Sequence, residues 1–360
     1  MHGHLRSVIV GTGSYLPSRK VTNRDFLDSE FYDPGGSRFE QPTEEIIEKF
    51  GQITGIAERR YVSDDLVTSD IAALAAEAAL ERAGADRESL DYVIVGHNFG
   101  DVDAGNRRTD LVPSLAARVK AKLAIRNPRT VAYDLPFGCP GWLQAVIQSD
   151  YYLRSGDARR CLVIGAETLS RVCDPYDRDS MIYSDGAGAV LLEARESEEP
   201  VGVLAHAARS DTFEHAYLLR MGASARPESA NGELFLKMDG HRVYEYAVKT
   251  VPAVVEECLE RAGVDLAEVD KILLHQANAK MDEAIVKRLL RASGDPRSTE
   301  EIAPLTVGWL GNSSVATLPT LLDLLDRGEL DGHRPEAGAL YLLAAVGAGM
   351  NVNSLAYRVP

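Results

Sequence analysis

ERAGADRESLDYVIVGH (81–97) returns half a chain later as ERAGVDLAEVDKILLHQ (260–276). Each copy reads as a helix closing on Ala-Gly, an Asp opening a short turn, and an apolar strand, Tyr92 to Val95 in one and Lys271 to Leu274 in the other. Glycine after a helix is a common C-cap, so one such match is what any two α/β units would share. A second echo follows in the same order: CLVIGAE (161–167) with SDGAGAVLLEA (184–194), and ALYLLAAVGAGMNVNSLAY (339–357) near the C-terminus. Two ordered echoes predict a duplicated chain.

Between the echoes, helices alternate with strands. TSDIAALAAEAALERAG (68–84) reads as a helix, as does VYEYAVKTVPAVVEECLERAG (243–263) despite Pro252, while YVIVG (92–96), RCLVIGAE (160–167) and GAVLLEA (188–194) are rich in strand formers. The pattern predicts an α/β protein. The acidic RESEEP (195–200) marks the seam, giving halves of 1–198 and 199–360 that pack together, since so short a seam makes no flexible linker.

Composition narrows the function classes. The 360 residues are 45% hydrophobic and 26% charged, enough for a large core. No apolar run approaches the ~20 residues of a membrane span, and the opening MHGHLRSVIVGTGSYLP lacks a signal-peptide core, so the cytoplasm is the expected compartment. A net charge of −15 argues against a nucleic-acid binder, which would carry a basic stripe. Four cysteines form no C-x-x-C pair, so neither a zinc site nor a disulfide framework is expected.

In LPFGCPGWLQA (135–145) an apolar strand end runs into Gly138, Cys139 and Pro140, and a helical stretch follows. Proline favours the first helical position, which puts Cys139 at a helix N-terminus. There the dipole and free N–H groups are expected to lower the thiol pKa from ~8.5 towards neutrality and make a nucleophile. Flanking glycines leave room for a substrate. Cys161, Cys173 and Cys258 read as buried space-fillers. In the second half, His275 ends a buried strand, and Asn312 stands in a turn behind Gly311. Both lie at strand or loop ends, where open α/β sheets collect ligand-binding residues. His97 is ambiguous, and the remaining histidines lie in the N-terminal tail or in polar, loop-like stretches.

GCPGW (138–142), HQAN (275–278) and GNSSVAT (311–317) resemble, in order and approximate spacing, the Cys-His-Asn motifs of the β-ketoacyl-acyl-carrier-protein synthase III family, condensing enzymes of the thiolase superfamily. The likeness extends through VIVGTGSYLPSRKVTN (8–23), TGIAERR (54–60), GAETLSRVCDPYDRDS (165–180) and VGAGM (346–350), so nearly the whole chain is covered. It implies a five-layered αβαβα fold of two similar halves, usually a homodimer. It implies that Cys139 carries an acyl group taken from a thioester, and that His275 and Asn312 stabilise the enolate formed when a malonyl thioester loses carbon dioxide. The backbone N–H groups of Cys139 and Gly349 would form the oxyanion hole, and Asn278, Gly240 and Trp142 would line the substrate tunnel. No metal or bound cofactor is required. Substrates would arrive on acyl carrier protein or coenzyme A, with Lys280, Lys287 and Arg288 as a basic docking surface for an acidic carrier.

The chain also departs from the family pattern. Aligning KFGQITGI (49–56) with the coenzyme A adenine clamp, usually Trp and Arg, gives Lys49 or Phe50 and Ile53, which favours a carrier-bound primer. Glu245 stands at a further position of the docking surface that is usually basic, and Pro140 where alanine is usual. The insertion FYDPGGSRFEQPTEEIIEKF (31–50) suggests a specialised branch, such as polyketide or alkylresorcinol-type synthesis, rather than housekeeping fatty acid synthesis. Two rivals stand beside condensation: an acyltransferase to oxygen or nitrogen, which has little need of a decarboxylating His-Asn pair, and a non-catalytic partner subunit, which has no need of the cysteine. GTGSYLP (11–17) lacks the third glycine of a dinucleotide fingerprint and precedes no helix.

Overall fold

A computed structural model of the chain describes residues 4–229, 232–334 and 336–360. Nine strands form its two large sheets: β1 (His4–Tyr15), β2 (Tyr92–His97), β3 (Val131–Pro136), β4 (Arg160–Thr168), β5 (Asp185–Ser197), β6 (Gly202–Ser210), β7 (Lys271–Leu274), β8 (Leu340–Gly347) and β9 (Asn351–Arg358). The first sheet has the order β1-β5-β4-β2-β3 and the second β6-β9-β8-β7. In both, the first two pairings are antiparallel and the third parallel. β6, β9, β8 and β7 therefore repeat β1, β5, β4 and β2 strand for strand, and only β3 has no counterpart among the described residues. Strand β5 runs on to Ser197, further than the acidic seam suggested, because Arg195 to Ser197 still pair with β1.

The strands that pair with two neighbours are nearly continuous in apolar residues, because both faces are covered. Five helices are central to the layering: α1 (Thr68–Ala83), α2 (Gly141–Ser155), α3 (Gly240–Ala262), α4 (Ala279–Ser293) and α5 (Thr317–Asp326). α2 and α5 lie between the sheets. Trp142, Val146, Leu318 and Leu325 share one buried cluster with Val163 of the first sheet and Leu343 of the second. α1 packs on the outer face of the first sheet through Ile71, Ala75 and Ala79. α3 and α4 cover the outer face of the second through Val251, Val255, Ile285 and Leu289. Helix, sheet, helix, sheet and helix give the five-layered αβαβα architecture. Pro252 sits inside α3 without ending it.

The insertion after residue 30 forms a bridge between Tyr32 and Arg38 and then a helix, Thr43–Thr54. Phe31, Ile46, Ile47 and Phe50 bury against Leu169, Met181 and Tyr183. A hairpin of Leu219–Gly222 and Phe235–Met238 spreads over the same region. Its Lys237 ammonium lies 2.6 Å from Asp174 and 2.9 Å from Asp177, and Asp174 also accepts from the Ala225 N–H.

Candidate active site

Cys139 stands one residue ahead of Pro140, which is the N-cap of α2 rather than its first residue. Gly138 makes this turn with a φ of +68°, and a Cβ there would stand 2.9 Å from the Ala348 nitrogen. That close approach brings the end of β8 against the turn before α2, so residues from both halves meet at the sulfur. His275 follows β7 directly, its N–H bonded to the Ala344 carbonyl at 2.8 Å. Asn312 is held by its backbone between Ile182 and Ser184, with an N–H donating at 3.0 Å and a carbonyl accepting at 2.8 Å.

All three side chains line one cavity of about 210 Å³. Its walls are mostly apolar: Phe99, Leu169, Tyr183, Leu236, Met238 and Val346 among others. Two of them, Leu169 and Tyr183, belong to the cluster that the insertion helix supports from behind. A larger surface hollow of about 500 Å³ is lined by charged side chains, Arg209, Arg242 and Lys249 together with Asp211 and Glu214. An apolar cavity with a thiol and a few converging polar groups fits an acyl thioester far better than a charged metabolite.

The polar groups are specified by their partners. The Asn312 side-chain oxygen accepts from the Ser314 N–H at 2.8 Å, which leaves the amide NH₂ as the group free to donate. Burial drives the His275 pKa down to about 4, with the Ser314 backbone pulling the other way, so the imidazole is neutral across the physiological range. Two neutral donors suit an oxygen that acquires negative charge only during reaction. At Cys139 the expectation of a lowered pKa is corrected: burial pushes the thiol up to about 11. The Ser314 hydroxyl and the backbone N–H groups of Cys139 and Ala348 pull it down, while the charge of Glu167 pushes it up.

Several expected positions move. Ala348, not Gly349, presents its N–H to the sulfur and lines the cavity beside Gly347. Gly349 adopts φ +77°, and a Cβ there would meet the Asn351 side chain at 2.8 Å, away from the cavity. Trp142 is not a tunnel residue, since it is buried in the core between the two sheets. Asn278 caps α4, its side-chain oxygen accepting from the Met281 N–H, and it is the neighbouring Ala277 and Met281 that reach the cavity. Gly240 opens α3 next to Met238 without lining the cavity itself. Lys280, Lys287 and Arg288 are exposed along α4, and Lys287 pairs with Glu283 at 3.0 Å.

Cys161, Cys173 and Cys258 are free and buried, as expected of space-filling cysteines. His97 is structural: one ring nitrogen lies 3.0 Å from Asp134 and the other accepts from the Gly100 N–H. Among the described residues no group of His, Cys, Asp or Glu is arranged to hold a metal ion.

The comparisons with known proteins meet this geometry. Residues 133–212 match the family described as 3-oxoacyl-[acyl-carrier-protein] synthase III, and residues 259–359 match its C-terminal domain. The chain is also 36% identical, over 99% of its length and 100% of the other, to a β-ketoacyl-[acyl-carrier-protein] synthase III of Xanthomonas campestris pv. campestris. It belongs to the synthase III family. Among solved structures, the synthase III of Thermus thermophilus superposes with a TM-score of 0.79 at 30% identity, covering 98% of this chain and 99% of that one. The priming β-ketosynthase of the R1128 polyketide pathway superposes at 0.80 with 26% identity, covering 100% and 98%. This synthase III family member is thus a condensing enzyme of the ketoacyl-synthase type, with the thiolase-like fold its duplicated sequence predicts.

Sequence reading missed Asn98, Glu167 and Ser314, which surround the thiol. GHNFGD (96–101) and GNSSVAT (311–317) hold two of them, but Asn98 reads as an ordinary polar loop residue and Ser314 as a candidate helix cap. The cavity-covering hairpin was also missed, because its strands are only four residues each.

Proposed function

We propose that this protein catalyses decarboxylative Claisen condensation of an acyl thioester with a malonyl-type thioester. The observation that carries the reading is the convergence of Cys139, His275 and Asn312 on one apolar cavity. In the first half-reaction the Cys139 sulfur attacks the primer's thioester carbonyl. The tetrahedral intermediate's oxygen meets the N–H groups of Cys139 and Ala348, and the carrier thiol leaves with the proton the cysteine gave up. In the second, the bond from the malonyl α-carbon to its carboxylate breaks, and the electron pair moves into an enolate held by His275 and Asn312. Carbon dioxide departs. The α-carbon then attacks the acyl-Cys139 carbonyl, and collapse expels the Cys139 thiolate with a β-ketoacyl thioester as product.

A primer on acyl carrier protein fits better than one on coenzyme A. Where the family clamps adenine, Phe50 is turned into the core, Ile53 is an exposed aliphatic side chain, and Lys49 is exposed. Lys280 stands immediately before Met281 of the cavity wall, with Lys287 and Arg288 further along the same helix, and Arg220 lies at the cavity itself. Together they suit the acidic surface of a carrier protein. The insertion that supports Leu169 and Tyr183 favours a primer, and hence a pathway, more specialised than housekeeping fatty acid synthesis, of the polyketide or alkylresorcinol kind. A homodimer is in keeping with β3, a strand at the edge of the first sheet that begins at the exposed Val131.

Incubation with a series of acyl-carrier-protein thioesters, read by intact mass, tests the nucleophile. An acyl adduct on the wild-type chain that disappears in Cys139→Ala is expected. No adduct with any primer, or an adduct that survives the substitution, overturns the reading.

A further inference from the structure

Beside the three residues that converge on the cavity, a second line of polar groups runs into the sulfur. The Ser314 hydroxyl lies 3.2 Å from Cys139 Sγ. Behind it the Asn98 side-chain nitrogen lies 3.2 Å from Ser314 Oγ and 2.6 Å from Glu167 Oε1. The Asn98 backbone N–H also donates to that Glu167 oxygen, at 2.5 Å. Glu167 is the last residue but one of β4 and is buried, as is Ser314.

The polarity of this line follows from its far end. Burial raises the Glu167 pKa to about 8, so it is not its charge that sets the direction; Glu167 Oε1 already accepts from the Asn98 backbone N–H, and an oxygen held as an acceptor fixes which end of the Asn98 amide faces it. The NH₂ of Asn98 then spends one hydrogen on Glu167 and the other on Ser314 Oγ. With a lone pair of Oγ engaged, the single hydroxyl hydrogen of Ser314 is directed to the sulfur. The backbone is fixed as well: Ser314 holds φ at +52°, a region few side-chain-bearing residues adopt, with its N–H bonded to Asn312.

We infer that Ser314 is a positioning residue that donates to the Cys139 thiolate, and that Asn98, clamped by Glu167, orients its hydroxyl. This rests on Cys139 being the nucleophile. It assigns stabilisation of the sulfur anion to Ser314 and the backbone N–H groups, and leaves His275 and Asn312 to the enolate. Burial opposes ionisation of the thiol, and so does Glu167 once it is itself ionised, above about pH 8, so a directed donor has a large effect there. The other titratable and charged groups at the cavity are the neutral His275, the Tyr183 phenol, whose pKa burial raises, and the Arg220 guanidinium.

The test is the pH profile of Cys139 alkylation by iodoacetamide, read by peptide mass on the full chain, which needs no acyl substrate. Ser314→Ala is expected to move the midpoint up by roughly one pH unit, the size of one lost charge-assisted hydrogen bond. Asn98→Ala, which keeps the hydroxyl but frees its orientation, is expected to move it the same way by less. A slower reaction with an unmoved midpoint in Ser314→Ala marks a merely structural role and overturns the inference; so does an unmoved midpoint in both variants. Acyl adduct formation on wild-type Cys139 is followed in parallel. If adducts form while the midpoints stay put, this inference fails and the condensation reading stands, whereas absence of adducts on the wild type removes the reading beneath it.

Discussion

Gly138 and Ala348 pack so closely that no side chain fits between them: a Cβ on Gly138 would lie 2.9 Å from the Ala348 nitrogen and 3.0 Å from its oxygen. The contact joins the turn before α2 to the end of β8, and it holds the two N–H groups that face the sulfur at a fixed separation. Gly138→Ala meets backbone on one side and a φ of +68° on the other, so relaxation must move the cysteine. A loss of about 1–3 kcal/mol in stability is expected from the strained backbone, together with acylation slowed at least tenfold at saturating primer. Thermal melting and the rate of adduct formation by intact mass check the two parts separately.

Lys237 anchors the hairpin that covers the cavity. Burial pushes the Asp174 carboxyl up, but Lys237 and the N–H groups of Ala225 and Tyr176 outweigh it and hold it below the usual carboxylate range. A depressed pKa contributes stability above the unfolded value, lost as pH falls through the folded one. Lys237→Met leaves Asp174 buried without its cation, a change that typically costs about 3–5 kcal/mol. The expected outcome is a lower melting temperature and a KM for the acyl primer raised more than kcat is lowered, because Leu236 and Met238 of the hairpin wall the cavity. Steady-state kinetics with one primer series measures that split.

His275 is held neutral, with a pKa of about 4, by burial. Malonyl decarboxylation, followed alone in Cys139→Ala as carbon dioxide release, is therefore expected to stay flat between about pH 5.5 and 7.5, where an ordinary histidine would titrate. The same depression contributes stability that is present above the ordinary histidine value of ~6.5 and lost as pH falls towards the folded value. A decarboxylation midpoint near the ordinary value would place a protonated imidazole in the reaction.

Trp142 sits in the layer between the sheets, 1% exposed, and its indole N–H has no partner among the described residues. Trp142→Phe is expected to leave primer preference unchanged, since the ring packs in the core rather than at the cavity, and to cost less than the ~3–5 kcal/mol of Trp→Ala. Melting curves and a primer competition assay check this. A changed primer preference would return the residue to the tunnel.

The duplicated architecture was legible because the echoed segments are strands and helices whose apolar pattern both copies need, as Lys271–Leu274 repeating Tyr92–Val95 shows. Cys139 was legible as a candidate from its turn before a helix, whereas His275 and Asn312, each at the end of an element, stood out only through the order of GCPGW, HQAN and GNSSVAT and their resemblance to the family's motifs. The thiol's ionisation was not legible, since a helix terminus can be read from Pro140, but burial of the sulfur and the groups that act on it, from Glu167 to Ala348, come from distant parts of the chain. The oxyanion position slipped by one residue because Gly347, Ala348 and Gly349 are alike in sequence, and only the backbone path shows which N–H turns inward.

The most direct measurement follows the carbon. Acylated wild-type protein is given malonyl-acyl carrier protein labelled with ¹³C at the free carboxylate, and both protein and carrier are weighed. The account predicts labelled carbon dioxide, loss of the adduct from Cys139, and a carrier bearing the primer's acyl group extended by the two unlabelled malonyl carbons. Loss of the adduct to an oxygen or nitrogen acceptor, or to water, with the label still on the carrier, would contradict it.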